Sequence, residues 1–276
     1  MLNFRNIKII VWKDLLEVKQ NKSVIISLAM VPLIIMVILP LVFLILANQP
    51  GAAQSFNDPD LATFFANLPA SMTAPMRGMN EIQLTLALLL GYMFAPMFLI
   101  LPIMTSASIA SESFAGERER KTLEALLYTP ASDAELFLGK ALAAFIPSIL
   151  VSLLSFVLYT VVLNVGGFPL FGQIWFPFSP WYLLVFWISP GLAAFAVGLT
   201  VLISSKVQTF MGAYQTSSAM VVLVLGLVAG QAAGVLYLSN AVSFLIGFVV
   251  WLAAAILIFF AIQQFNRKSL LVQQAN

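Results

Sequence analysis

The residues best equipped for polar chemistry are gathered in one stretch. Positions 111–140 hold 10 of the 24 charged side chains in this 276-residue chain. They read Glu112-Ser113-Phe114-Ala115-Gly116-Glu117-Arg118-Glu119-Arg120-Lys121-Thr122-Leu123-Glu124-Ala125-Leu126-Leu127-Tyr128-Thr129-Pro130, then Ser132, Glu135, Gly139 and Lys140. Alternating carboxylates and cations form ion pairs and grip a partner surface, whereas acid–base catalysis needs such groups in a sheltered pocket beside an oriented nucleophile. The chain has no Cys and no His, which removes thiol chemistry, imidazole bases and the usual transition-metal ligands. No Gly-x-x-x-x-Gly-Lys-Ser/Thr phosphate loop occurs either. We expect no catalytic residue, no metal site and no cofactor held by this chain.

Within the charged stretch, a Glu117 to Lys121 pair at i,i+4 and the apolar Leu123, Leu126 and Leu127 predict a short helix from about Glu117 to Leu127. Thr129-Pro130 stops it. Ser132 and Glu135 then form a capping-box signature for the next helix. A bare link between two spans needs only a few residues, so this one is read as built to meet something. The alternative is a solvated charge run.

Two further sets of residues have suggestive spacing. Ser148, Ser152, Ser155 and Tyr159 share one helical face, where their hydroxyls either line a polar path or bond their own and neighbouring backbones. Gly226, Gly230 and Gly234 make a Gly-x-x-x-Gly-x-x-x-Gly series, and Ala194 with Gly198 makes a second small pair. Both are read as helix-packing devices, within the chain or between subunits.

The elements that must position these residues follow from hydropathy. The chain is 61% hydrophobic and 9% charged, with a mean hydropathy of +1.01, which marks an integral membrane protein. Six apolar runs, 24–47, 84–110, 141–163, 181–203, 210–238 and 241–262, contain no charge. Each reaches the roughly 20 residues needed to cross about 30 Å of hydrocarbon as a helix. The fold class is all-α and polytopic, with residues 1–23 as a separate amphipathic helix and 24–276 as a six-helix domain. Twelve of the 13 Lys and Arg, all but Arg77, fall on one side of this topology, so the positive-inside rule places both termini in the cytoplasm. The first run is too long for a signal-peptide core and is read as a permanent span.

The opening helix shows Phe4, Ile7, Val11, Leu15 and Val18 in a stripe, with Arg5, Lys8, Asp14 and Glu17 off it. It is read as lying at the anionic headgroups, either as a plain anchor or as a grip for a partner. Residues 48–83 form a Pro- and Gly-broken outer loop with a short helix expected at Asp60–Asn67. In the 164–180 loop, Phe168, Phe171, Trp175, Phe176 and Phe178, followed by Trp181 and Tyr182, are assigned to the headgroup level, with an aromatic substrate cage as the alternative. The 29-residue fifth run is too long for one simple span, and a break near its glycines, with Gln231 beside it, is expected. Prolines 32, 40, 96, 102, 147 and 190 bend the spans.

Charge-free spans argue against an ion-driven secondary transporter, and equally against an intramembrane protease. If the chain transports, its energy source lies outside it.

The stretch Glu112 to Lys140 resembles a motif of the permease subunits of ABC-2-type ATP-binding-cassette transporters, particularly the branch containing sodium-efflux permeases. That motif runs close to Glu-Ser, Gly-Glu-(Lys/Arg)-Glu-(Lys/Arg)-(Lys/Arg)-Thr-Leu-Glu, Leu-Leu, Thr-Pro and Gly-Lys after the second span. Lys13-Asp14-Leu15-Leu16-Glu17 also looks like the helix that opens such permeases. The resemblance implies a half-size exporter subunit of a prokaryotic cell membrane, embedded in lipid and without a nucleic-acid partner. It would dimerise with a second copy or a homologous permease and be driven by two separate ATPase subunits that carry ATP and Mg²⁺. Glu112, Gly116, Glu117, Arg118, Glu119, Arg120, Lys121, Thr122, Leu123 and Glu124 would then form the ATPase-coupling region. A non-transporting membrane anchor of an ATPase-linked complex is the other reading. No ion-binding carboxylate stands in the spans to support sodium as cargo.

Overall fold

The computed structural model describes residues 2–50, 74–120, 129–207, 209–233 and 238–264. Helix α1, Phe4–Gln20, ends where Asn21 turns to an extended conformation. Beyond it lie six helical stretches long and apolar enough to cross a membrane, and among the described residues there is no strand. They are α2 (Val24–Ala47), α3 (Glu81–Glu119), α4 (Asp133–Phe171), α5 (Ser179–Ser204), the pair α6 (Phe210–Ser218) and α7 (Val221–Ala232), and α8 (Asn240–Gln264). The chain is thus a multi-pass helical membrane protein. The helix expected at Asp60–Asn67 lies outside the described residues.

Helices α3 and α5 form the centre. In α3 78% of the most apolar window is buried and in α5 61%, against 17% in each of α2 and α8, whose outer faces are left for lipid or another chain. Small residues let the inner helices approach. A Cβ on Gly198 of α5 would stand 3.0 Å from Leu257 Cβ and 3.2 Å from the Ile258 nitrogen of α8, so Gly198 packs closely against α8. Gly226 has no such neighbour within 4 Å and its position is exposed. Gly230 is half-buried, and Gly234 lies outside the described residues.

Prolines shape the spans by way of wide helical turns. The π-helical segments Ile34–Ile38, Leu89–Met93 and Leu184–Ile188 each precede a proline, Pro40, Pro96 and Pro190, by two or three residues. Proline supplies no N–H, and a local π turn is one way to redistribute the freed carbonyls. A fourth, Glu112–Gly116, has no proline after it and sits at the charged tip of α3.

Three expectations are corrected or sharpened. The start of the helix expected from Glu117 to Leu127 is continuous with α3, which runs through Glu112–Gly116 into Glu117–Glu119, and positions 121–127 of that helix lie outside the described residues. Nothing between Ile109 and Glu119 breaks a helix except Gly116, whose φ of −64° is helical. The fifth run is broken twice: at Ala219 and Met220, where no break was expected, and after Ala232, one residue past Gln231 and beside the glycines, where one was. Finally, most of the aromatic loop is inside the fold, with Trp175, Phe176, Phe178 and Trp181 buried. Asn164 holds the loop by donating to Phe176 O at 2.8 Å and accepting from Trp175 N at 3.0 Å. Only Phe168 and Tyr182 of that group are exposed.

Candidate functional site, a buried ionic junction

The charged tip of α3 is where four other elements meet. Lys140, in the second turn of α4, is 1% exposed. Its ammonium donates to Glu117 Oε2 at 2.5 Å and to the Ser113 carbonyl at 2.8 Å, and lies 3.5 Å from Asp14 Oδ2. The Phe114 ring lies 5.8 Å from the same ammonium. Glu117 also accepts from Lys13 of α1. Asp14, buried on α1, accepts from Ser113 Oγ at 2.6 Å. One acid–base cluster therefore joins α1, α3 and α4.

Next along the tip, each side chain reaches a different element. Arg118 donates to Ser204 O at 2.7 Å, at the end of α5. Glu119 accepts from Phe210 N at 2.8 Å, an otherwise free donor in the first turn of α6. Arg120 folds back to Glu112 Oε1 at 2.7 Å. A Cβ at position 116 would meet Glu112 Oε2 at 3.1 Å and the Arg120 guanidinium at 3.5 Å, so Gly116 leaves room for that pair. Lys121, Thr122, Leu123 and Glu124 lie outside the described residues.

α1 is held along its length. Glu135, in the first turn of α4, accepts from Asn6 Nδ2 at 3.0 Å, Asn3 N at 2.7 Å and Ser132 N at 3.0 Å. The last of these, with Glu135 N donating to Ser132 Oγ at 3.3 Å, is the predicted capping box. The Asn6 amide first, and then the two backbone donors, hold the Glu135 carboxyl down at about 2. α4 has 39 residues and so measures about 58 Å, and these first turns stand outside a hydrocarbon layer of about 30 Å. A Cβ on Gly139 would lie 2.6 Å from Ile10 Cγ2, which is how closely α1 and α4 approach.

The inward face of α1 is Ile7, Ile10, Asp14 and Val18, with Phe4 81% exposed, which corrects the stripe read from sequence. Burial opposes the charge of Lys13, but Glu117 first, and then Asp14 and Glu17, raise its ammonium above the ordinary range. Oxygens of Asp14, Glu17 and Glu117 lie within 4.8 Å of one another. Lys13 and Lys140 stand among them, so ammonium groups supply the cations.

Ser148, Ser152, Ser155 and Tyr159 are all buried on one face of α4. Ser148 donates to Pro102 O at 3.0 Å, Ser152 to Ser148 O at 2.9 Å and Ser155 to Val151 O at 2.6 Å. Tyr159 donates to Leu90 O at 2.5 Å. Every one of these hydroxyls bonds a backbone carbonyl.

Sequence reasoning found the α3 tip but missed Lys13, Asp14 and Lys140 as its partners. A usable signal was present: Asp14 shares helical spacing with Ile7, Ile10 and Val18, an acid set into an apolar face. Over residues 8–274 the chain matches a family model described as ABC-2 family transporter protein. No curated protein and no solved structure matches it.

Proposed function

We propose, from the fact that the chain belongs to the ABC-2 family of transporter proteins, that it is the membrane-spanning subunit of an exporter powered by ATP hydrolysis on a separate ATPase. The charged end faces the cytoplasm of a prokaryotic cell, in keeping with its Lys and Arg content. Two permease copies, or one with a homologous permease, work with two ATPase copies that bind ATP and Mg²⁺.

The observation that carries this reading is the convergence at the α3 tip. Glu112 and Glu117 are buried, whereas Glu119 and Arg120 stay exposed. A push on the exposed part reaches α1 and α4 through Glu117, α5 through Arg118 and α6 through Glu119. Charge pairs and hydrogen bonds in a poorly hydrated junction resist being pulled apart, so a short segment can move several spans together. Gly116 to Glu124 is the coupling region, and its charges serve two surfaces: an inner one toward the spans and an outer one toward the ATPase.

The test is reconstitution of the chain with its ATPase in proteoliposomes, measuring ATP turnover and its dependence on the permease. Reversing Glu119 and Arg120 together, which also costs stability because Arg120 pairs with buried Glu112, is expected to abolish permease-dependent stimulation in the subunit that still inserts. Full stimulation by that variant would refute the coupling role.

A further inference from the structure

In the half of the protein away from the ionic junction, three consecutive carbonyls of α3 each receive a side-chain donor from a different helix. Tyr159 Oη of α4 donates to Leu90 O at 2.5 Å, Trp181 Nε1 of α5 to Gly91 O at 2.6 Å, and Gln231 Nε2 of α7 to Tyr92 O at 2.9 Å. The need for them is local. The Phe94 N–H bonds Leu89 O in the π turn, leaving Leu90 O without its regular donor. The N–H that would serve Tyr92 O in an α-helix belongs to position 96, which is proline.

The three donors are not held alike. Tyr159 and Trp181 have no exposed surface and stack on each other at 5.1 Å between ring centroids. Gln231 comes from α7, in which only Val224 and Gln231 are buried among 12 residues. Its Oε1 is buried without a hydrogen-bond partner, so the amide is half satisfied. The joint before α7 is tightened to i to i−3 bonds: Met220 N to Ser217 O at 3.2 Å, Val222 N to Ala219 O at 3.0 Å and Leu223 N to Met220 O at 3.0 Å. Such a turn inside a helical span is a common form of hinge.

We propose that α7 is a gate segment, hinged at Ala219–Met220 and latched shut by the Gln231 to Tyr92 carbonyl hydrogen bond, with Tyr159 and Trp181 as the fixed posts beside it. The proposal rests on the transport reading above and assigns the moving part at the end opposite the ATPase. One interhelical hydrogen bond in a membrane protein is worth about 1–2 kcal/mol at most, enough to bias a closed state and still be broken in every cycle. The unpaired Oε1 lowers the cost of swinging the amide out, because the closed position satisfies only half of it.

The chain's lack of cysteine makes the test clean. Single cysteines are placed at Val224, buried on α7, and at Val197, buried on α5 as a reference. Their rates of reaction with N-ethylmaleimide are measured in lipid vesicles. Gln231→Met keeps the bulk of the side chain and removes the donor, and is expected to speed labelling at position 224 by about 5- to 30-fold, the factor corresponding to 1–2 kcal/mol, while position 197 is unchanged. Pro96→Ala, which returns a helical donor to Tyr92 O and leaves the sequence of α7 unchanged, is expected to raise labelling at 224 by a smaller factor. An unchanged rate at 224 in Gln231→Met overturns the latch, and an equal rise at 197 overturns it as general loosening. Because this readout needs neither ATPase nor cargo, absence of ATP-driven transport by the wild-type complex with the labelling result intact would sink the exporter reading alone.

Discussion

Replacing Lys140 by methionine tests the ionic junction most directly. Methionine has nearly the same length and fills the same space, so the change removes a charge and its donors but little volume. The side chains of Lys140, Glu117 and Asp14 are each 1% exposed. In the variant, Glu117 retains Lys13, while Asp14 keeps Ser113 Oγ and a more distant Lys13 at 3.4 Å. The Ser113 carbonyl loses a donor. Removing one partner of a buried charged pair costs about 3–5 kcal/mol, most of it the penalty of the charge left behind. At roughly 2–4 °C per kcal/mol for a chain of this order of size, Tm should fall by about 6–20 °C. The assay is thermal unfolding of the purified protein in mild detergent, run beside Glu117→Gln and the double variant. Neutralising Glu117 removes one of the uncompensated charges, so the double variant should lose less than the sum of the singles, with a coupling of about 1–3 kcal/mol. A fall of less than about 3 °C, or simple additivity, would show that Lys140 is not paired in the way described.

Two more outcomes follow from the same geometry. Glu135 is held at about 2 by Asn6, Asn3 and Ser132, below its ordinary 4.5, so its contribution is complete above the ordinary value and disappears as pH falls from about 5 toward 2. The stability gap between wild type and Glu135→Gln should therefore be full at pH 6 and close over that acid window, as read by unfolding at a series of pH values. At the glycines, Gly198→Leu should cost about 1–3 kcal/mol by forcing α5 from α8, whereas Gly226→Ala should be neutral or stabilising by up to about 1 kcal/mol. Tm values of the two variants decide this.

The spans were legible because hydropathy over some 20 residues is a strong signal that packing does not alter. Val24–Ala47 coincides with the apolar run at 24–47, and the Ser132/Glu135 capping box lies where its spacing put it. α3 and α4 outrun their apolar cores because a charge ends an apolar run but not a helix: α3 continues past Glu112 to Glu119, and α4 begins at its Ser132 cap, before Glu135 and Lys140. Asp14 and Lys140 were not legible, since a charge beside an apolar run looks solvated until its partner from a distant segment is known. Their separation of more than a hundred positions is closed only by tertiary packing. The packing of the loop aromatics was illegible for a related reason. Composition places Trp at a headgroup, but Trp181 finds its acceptor in a carbonyl displaced by a π turn, and no composition rule anticipates that.

The two π turns of α3 have one more consequence, for torsion. Each fits one extra residue into its turn and so advances the face of everything beyond it by about 100°. The first holds the carbonyl row at Leu90–Tyr92, and the second, Glu112–Gly116, lies immediately before the residues that bond α1, α4, α5 and α6. If that turn tightened to an ordinary α-helical one, the tip would rotate about the axis of α3 with no need for the rod to tilt or slide.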